Sequence, residues 1–271
     1  MKRRAFVKTL VFASGVLYKT TDGMFQSKPD KESFRISMIY NNIGDYKNLK
    51  NAWGLSIWIE TINNNILFDT GGDANVLLDN ISNLNLDIQK LSKIILSHNH
   101  WDHTNALDDI LENHAGSPEI FVVKNDLEEF LKKYPAAKIK GVNSFQQIDK
   151  DIWTTGELIG TNGNTLCEQG LLLVHERNLV LLTGCSHSGI VDMVKRTKQI
   201  FPDKSLELVA GGFHLGTKSI KEIAVISKDL KALKVKNIAP SHCTGDNAIN
   251  YFRNDWQDNF IDLNLGEEYY F

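Results

Sequence analysis

Ser97-His98-Asn99-His100-Trp101-Asp102-His103-Thr104 is the stretch that decides the fold. Three of the chain's eight histidines fall within it, and an aspartate stands among them. Imidazole nitrogens and a carboxylate suit zinc and similar borderline cations. The run before it, Lys93-Ile94-Ile95-Leu96, is apolar and short, as a buried strand is. The ligand types therefore emerge from the end of a rigid strand into a loop. On extended backbone alternate residues share a face, which puts His98, His100 and Asp102 on one side and His103 elsewhere. A single tetrahedral ion does not readily take all four from so short a loop. Two adjacent ions fit better, one fed by His98 and His100 and the other by Asp102 and His103.

H-x-H-x-D-H after a strand resembles the signature of the metallo-β-lactamase superfamily, and other segments agree in order. Leu67-Phe68-Asp69-Thr70-Gly71-Gly72 resembles the family's first motif, an acidic residue ending an early strand. Thr183-Gly184-Cys185-Ser186-His187 and Pro240-Ser241-His242-Cys243-Thr244-Gly245 resemble its later ligand motifs, with Gly211-Gly212-Phe213-His214-Leu215 between them. This narrower set is similar to the branch labelled dihydropterin-ribofuranosylaminobenzene-phosphate synthase-like. The resemblance runs from about Phe34 to the C-terminus. It implies an α/β fold, an αββα sandwich of two mixed β-sheets with outer helices, built from two similar halves, although no duplication is visible in the letters.

The resemblance also implies roles. His187, after the apolar strand Leu179 to Thr183, joins His98 and His100 on the first ion. His242 completes the second ion with Asp102 and His103. Asp69 is expected to hold a ligand imidazole from behind and fix its tautomer. His214, in a glycine-rich turn, is assigned to substrate or oxyanion contact, or to proton delivery to a leaving group. Many relatives carry T-G-D, with a metal-bridging aspartate, where this chain has Thr183-Gly184-Cys185. Either the Cys185 thiolate approaches the bridging position, or water alone bridges and Cys185 is a small buried residue; the second reading is preferred. Loss of that carboxylate makes the site more positive and favours anionic substrates. Glu168 is a substitute carboxylate to consider. Trp101, inside the metal loop, is the best of the tryptophans for lining a pocket; Trp53, Trp58 and Trp153 suit core or rim equally well.

The expected chemistry is metal-assisted hydrolysis, with Asp102 and His214 as the catalytic side chains. Two divalent ions, zinc first and manganese or iron as alternatives, would activate water against a small anionic ester, a phosphoester or phosphodiester before a carboxylic ester or lactam. The other class of reading is an exported metal- or ligand-binding protein without turnover.

Composition bounds these readings. The chain has 271 residues, 42% of them hydrophobic, which suits one large domain with a substantial core. A net charge of -3 offers no overall basic surface for nucleic acid. Three cysteines, Cys167, Cys185 and Cys243, are not a disulfide framework; reduced buried thiols are preferred over a Cys185–Cys243 bridge. Lys2-Arg3-Arg4-Ala5-Phe6-Val7-Lys8, followed by an apolar stretch from Thr9 to Tyr18, looks like a twin-arginine export signal, and the stretch is too short for an ordinary membrane span. Residues 1–33 are therefore read as signal and linker, and 34–271 as the folded domain. Export by the twin-arginine machinery to the periplasm or the extracellular space suits a protein that must fold around its metals first.

Overall fold

The computed structural model describes residues 34–160 and 166–271, together with the backbone of two short strands, Leu17–Lys19 and Phe25–Ser27, which pair antiparallel. The basic start at Lys2 to Lys8 and most of the apolar stretch after it lie outside the described residues.

Two sheets face each other. The first contains β1 (Arg35–Asn41), β2 (Leu55–Glu60), β3 (Asn65–Phe68), β4 (Leu91–Ile95), β5 (Glu119–Val123) and β6 (Lys138–Val142). The second contains β7 (Ser144–Asp149), β8 (Ile152–Gly156), β9 (Leu171–His175), β10 (Asn178–Thr183), β11 (Ser205–Gly212) and β12 (Asn237–Ser241). A last strand, β13 (Glu268–Tyr270), returns to the first sheet and pairs with β1. The orders are β13-β1-β2-β3-β4-β5-β6 and β12-β11-β10-β9-β8-β7. In each sheet the early strands run antiparallel and the later ones parallel, the change falling at β3/β4 and at β10/β11. The two halves repeat one plan that their letters do not share.

Apolar side chains of both sheets interlock in the central layer, among them Ile57, Phe68, Ile95, Leu171, Leu182 and Ala210. A second cluster lies under α5 (Ile190–Ile200), α6 (Ile220–Ala232) and α7 (Asp246–Trp256) on the outer face of the second sheet. A third lies under α1 (Ala74–Asn83), α3 (Leu107–Asn113) and α4 (Leu127–Lys133) on the first. This is the expected αββα sandwich, each sheet burying both faces as parallel sheets do.

The helix starts follow from local chemistry. Asp73 caps α1, accepting from the Val76 N–H at 3.1 Å, and Ser219 and Glu222 form a capping box on α6. The sequence from Thr104 to Glu112 reads as one helix starting straight after the metal loop, but the structure has two, α2 (Trp101–Thr104) and α3. Between them the Asn105 N–H reaches Gly71 O at 3.2 Å and its amide donates to Gly72 O at 3.0 Å, so the chain is drawn toward the Asp69 loop. The spacing of Ile220, Ile223 and Leu230 predicts one buried face of α6; Ile223 and Leu230 are fully buried, but Ile220, in the first turn, is exposed. Strands β6 to β8, helix α7 and strand β13 carry mixed polar sequences whose pattern did not stand out.

Candidate metal centre

Nearly every candidate ligand lies just past the carboxyl end of a strand at one rim of the sandwich, where open α/β sheets collect ligands. Asp69 follows β3, His98 and His100 follow β4, Cys185 and His187 follow β10, His214 follows β11 and His242 follows β12. The strand ends at Ile95, the chain bends through Ser97 to Asn99, and His100 is the N-cap of α2, so Asp102 rides on a helical turn. That turn swings Asp102 and His103 toward a different neighbour, as two separate cages require.

The side chains gather in two groups. In the first, His98 Nε2 lies 3.0 Å from His100 Nδ1, and the His187 ring stands edge-on to both at centroid distances of 4.9 Å. In the second, Asp102 Oδ2 lies 3.3 Å from His242 Nε2 and 3.9 Å from His103 Nε2. Ligand atoms within each triad are no more than 4.8 Å apart. The groups touch through His98 and His103, whose rings are 4.3 Å apart. Cys185 Sγ stands 3.2 Å from His103 Nε2 and forms a further triad with His98 and His103. Cys185 is thus buried and aimed at the junction of the two groups.

Partners behind the rings fix their tautomers, as inferred from the hydrogen-bond network. Asp69 is fully buried and accepts from Ser97 N at 2.6 Å, from Ser97 Oγ at 2.7 Å and from His103 Nδ1 at 2.7 Å. His103 therefore keeps its Nε2 lone pair for the site, the arrangement expected of a metal ligand. Ser97 gives its only proton to Asp69, so the His98 Nδ1 that meets Ser97 Oγ at 2.8 Å must donate, and His98 Nε2 also carries a lone pair. Asn42 Oδ1 meets His242 Nδ1 at 2.8 Å with the same result for His242 Nε2. That nitrogen then faces Asp102 Oδ2 without the alignment of a hydrogen bond, and it has no hydrogen-bond partner. A lone pair opposed to a carboxylate oxygen repels it unless a cation lies between. The residues present therefore fit a divalent ion.

Electrostatics agree. Burial, and then the neighbouring imidazoles of His103, His187 and His100, holds His98 well below its ordinary pKa. Burial followed by His214 and His100 brings His187 down to about 3, and burial lowers His100. These rings stay neutral, the form that ligates metal. Burial alone would raise the Asp102 carboxyl; His242 and His103, when they carry protons, outweigh it and hold Asp102 below the usual carboxylate range, and with both rings neutral a bound cation takes that part. Burial also opposes charge on His103, yet Asp69 prevails and raises it. Cys185 and Cys243 are free thiols, and Cys243 Sγ donates to Cys185 O at 3.7 Å; the neighbouring Cys243 and burial push Cys185 up, while Cys243, despite burial, is pulled down by Cys185 and His214.

The backbone shows what the arrangement demands. Asp69, His214 and His242 all adopt left-handed φ, at 61°, 52° and 51°, and such strain gathers at functional sites. Gly184 lets β10 pass against the Asp69–Ser97 pair: a Cβ there would lie 2.0 Å from Ser97 Oγ.

Glu168 belongs to none of the ligand groups. Its Oε1 accepts from Ser188 Oγ at 2.6 Å, bracing the loop that carries His187. Trp58 is core, and Trp153 stacks on Phe145 at 4.8 Å, so neither lines the site. Trp101 is 59% exposed at the rim. Two contacts escaped sequence reasoning: Asn42 behind His242, and Trp53, whose indole N–H donates to Asp102 Oδ2 at 2.8 Å. No sequence signal marks Asn42; the aromatic character of Trp53 was noticed, but not its partner. His214 stands 4.3 Å from His187 by ring centroids, and the two border a cleft of about 230 Å³ that also touches Phe213, Leu215, Lys218 and Ile226.

The family model described as Metallo-beta-lactamase superfamily matches residues 54–242. The chain belongs to the metallo-β-lactamase superfamily. Within it, the chain is 31% identical to the 7,8-dihydropterin-6-methyl-4-(beta-D-ribofuranosyl)-aminobenzene-5'-phosphate synthase of Methanocaldococcus jannaschii, over 84% of this chain and 95% of that protein. Among solved structures of the superfamily, Tm1679, described as a metal-dependent hydrolase, superposes with a TM-score of 0.74 at 24% identity, over 87% of this chain and 98% of its own. A diphosphatase of the PhnP family superposes with a TM-score of 0.59 at 13% identity, over 88% and 97%. These superpositions show the shared fold. The synthase relative agrees with the branch resemblance of the motifs.

Proposed function

We propose that this chain is a metal-dependent hydrolase with a dinuclear centre, acting on a small anionic ester, with phosphoesters and phosphodiesters as the favoured class. His98, His100 and His187 hold one divalent cation, and Asp102, His103 and His242 hold the other, zinc first and manganese or iron as alternatives. The observation that carries this reading is the opposition of the His242 Nε2 lone pair to Asp102 Oδ2 at 3.3 Å, beside a second cage of three neutral imidazoles. Cations in such cages act as Lewis acids and bring the pKa of water from about 15.7 toward ~7.

The chain's own residues do the rest. Asp69 locks His103 and, through Ser97, His98, so both rings present lone pairs without reorganising. Asp102 supplies negative charge to the second cage. His214, at the mouth of the cleft beside His187, contacts substrate or delivers a proton to the leaving group. Cys185 in place of the superfamily's bridging carboxylate leaves the loaded centre more positive, which supports an anionic substrate.

A second reading rests on the 31% relationship to a synthase whose named product bears a 5'-phosphate. It agrees with a phosphate-bearing, anionic ligand and differs in the reaction class. An exported protein is poorly placed for cytoplasmic cofactor synthesis, so hydrolysis is preferred. Export itself is proposed from Lys2 to Lys8, with the twin-arginine machinery as partner and the periplasm or extracellular space as destination. No helix among the described residues is long and apolar enough to cross a membrane.

The test is turnover of a chromogenic phosphodiester, with metal content measured on protein purified without added ions. Chelator and His100→Ala should each abolish turnover, and zinc or manganese should restore the chelated wild type. Unchanged turnover in metal-free His100→Ala, or none in fully loaded wild type across a broad ester screen, would overturn the proposal. Replacing Arg3 and Arg4 by lysine should stop export.

A further inference from the structure

Beside the two histidine cages stands a third constellation of different chemistry. Strands β10, β11 and β12 are neighbouring and parallel, and their ends are in register, Thr183 with Gly211 and Gly212 with Ser241. The second residue after each strand is a soft or borderline donor: Cys185, His214 and Cys243. Equal offsets from three registered strands bring the donors together, and one atom from each lies within 4.8 Å of the others. The backbone makes room for this meeting. A Cβ on Gly212 would stand 2.7 Å from Cys243 Sγ and 3.3 Å from the Cys185 Cα, so the two cysteine loops close over a position that only glycine fills. His214 is held there with φ 52°, and its buried Nδ1 has no hydrogen-bond partner. Cys167, the remaining cysteine, is not among these donors.

We infer that Cys185, His214 and Cys243 form a separate, sulfur-rich site for one thiophilic cation, such as zinc, cadmium or copper(I). Two sulfurs and one imidazole are a soft donor set, whereas the histidine and carboxylate cages are borderline to hard. The division of donors by hardness is what separates this site from the dinuclear centre. Binding of a divalent ion forms two metal–sulfur bonds, and each sulfur that still carries a proton releases it to solvent. Cys185 is the hinge between the two chemistries, because its Sγ also faces His103 Nε2 at 3.2 Å. When the sulfur site is filled, His214 is a ligand and no longer a free group at the cleft. That consequence alone rests on the hydrolase reading; the site does not.

Cadmium is the probe, since its bonds to thiolate give an ultraviolet charge-transfer band that imidazole and carboxylate do not. Full-length protein, stripped by chelator and kept reduced, is titrated with cadmium. The band should rise in the wild type, in Cys167→Ser and in the His98→Ala/His100→Ala double variant, and be lost in Cys243→Ser and in Cys185→Ser. Absence of the band at saturation overturns the site. So does a band that survives in Cys243→Ser but not Cys185→Ser, which would make Cys185 a ligand of the dinuclear centre instead. Circular dichroism checks that each variant folds. Should a cysteine variant misfold, iodoacetamide mapping of the His98→Ala/His100→Ala protein decides: cadmium should protect Cys185 and Cys243 together, and alkylation of either at an unaltered rate overturns the proposal. Absence of phosphodiesterase turnover in the zinc-loaded wild type that has not been given cadmium, with the cadmium band intact in the titrated protein, would fault the hydrolase reading alone.

Discussion

The indole N–H of Trp53 donates to Asp102 Oδ2 at 2.8 Å, on the same oxygen that faces His242 and His103. The Trp53 ring also lies 5.1 Å from that of His242, tilted by 54°. Trp53 precedes Gly54, whose φ of 139° turns the chain into β2, and half of its surface is open to solvent. It therefore positions the carboxylate without belonging to the cage. Removing the donor while keeping an aromatic ring leaves Asp102 free to rotate. Trp53→Phe is expected to weaken the second cation by about tenfold, about 1.4 kcal/mol, consistent with one hydrogen bond to a charged acceptor. The first cation should be unaffected. Metal content after dialysis against graded chelator measures both, and equal loss of the two ions would remove the positioning role.

Asp69 acts through two rings at once, directly on His103 and through Ser97 on His98. Each ring serves a different cage. Asp69→Asn keeps the size but offers an amide where a carboxylate accepted three hydrogen bonds, so one donor loses its partner and His103 loses its fixed tautomer. Both cations should bind roughly 10–100-fold more weakly. Calorimetric titration of the stripped protein with zinc reads this directly. Normal affinity at either cage would mean that Asp69 merely shapes its turn.

How much of this was legible in the letters follows from sequence distance. His98, His100, Asp102 and His103 are local, and their spacing marks a candidate metal loop; a division between two groups is expected because one tetrahedral ion does not readily take four donors from so short a loop, and the structure sets His98 and His100 with His187, and Asp102 and His103 with His242. Asp69 was legible as a carboxylate ending a strand. His187 and His242 needed the family resemblance, since nothing in a lone His after an apolar strand says which pocket it enters. Trp53 and Asn42 were not legible, because the contacts that give them meaning span 49 and 200 residues. The face assigned to Asp102 failed for a local reason: the strand ends at Ile95, the chain bends through Ser97 to Asn99, and the helical turn from Trp101 carries Asp102. In the fold, strands with strict apolar runs, such as Leu171–His175, stood out. Edge strands such as Lys138–Val142, with lysines facing solvent, did not.

Gly184 is one of the tightest points of the scaffold. A methyl group there would lie 2.0 Å from Ser97 Oγ, 2.6 Å from Ser97 Cβ and 3.1 Å from Asp69 Oδ2. Ser97 and Asp69 are fully buried and cannot yield without breaking the hydrogen bonds that orient His98 and His103. Gly184→Ala should cost about 1–3 kcal/mol of stability from overpacking and weaken both cations as well. Gly216, where an added Cβ meets nothing closer than 3.7 Å, is the control and should tolerate alanine with both properties intact. Denaturant unfolding and zinc titration of the two variants check the contrast; identical behaviour would show that the Ser97 wall gives way.

Stability of the metal-free protein should fall on acidification, and His187 gives the sign. Burial and then the neighbouring imidazoles bring its pKa from the ordinary 6.5 down to about 3. Between those values the unfolded chain binds a proton that the folded chain refuses. The contribution is complete above pH 6.5 and lost progressively as pH falls toward 3. His98 is shifted the same way by its burial. His103 is shifted upward, with Asp69 overcoming burial, so its contribution is complete below 6.5 and lost as pH rises through its folded value. The two signs are separable by variant. His187 is partly open to solvent, so its share is discounted to ~1 kcal/mol between pH 7 and pH 5, equivalent to about 2–4 °C in Tm for a chain of this size. Stripped wild type should lose that much more than stripped His187→Asn over the same interval. Parallel melting curves would show that the His187 imidazole protonates freely in the folded state, and that its lone pair is not reserved for a cation.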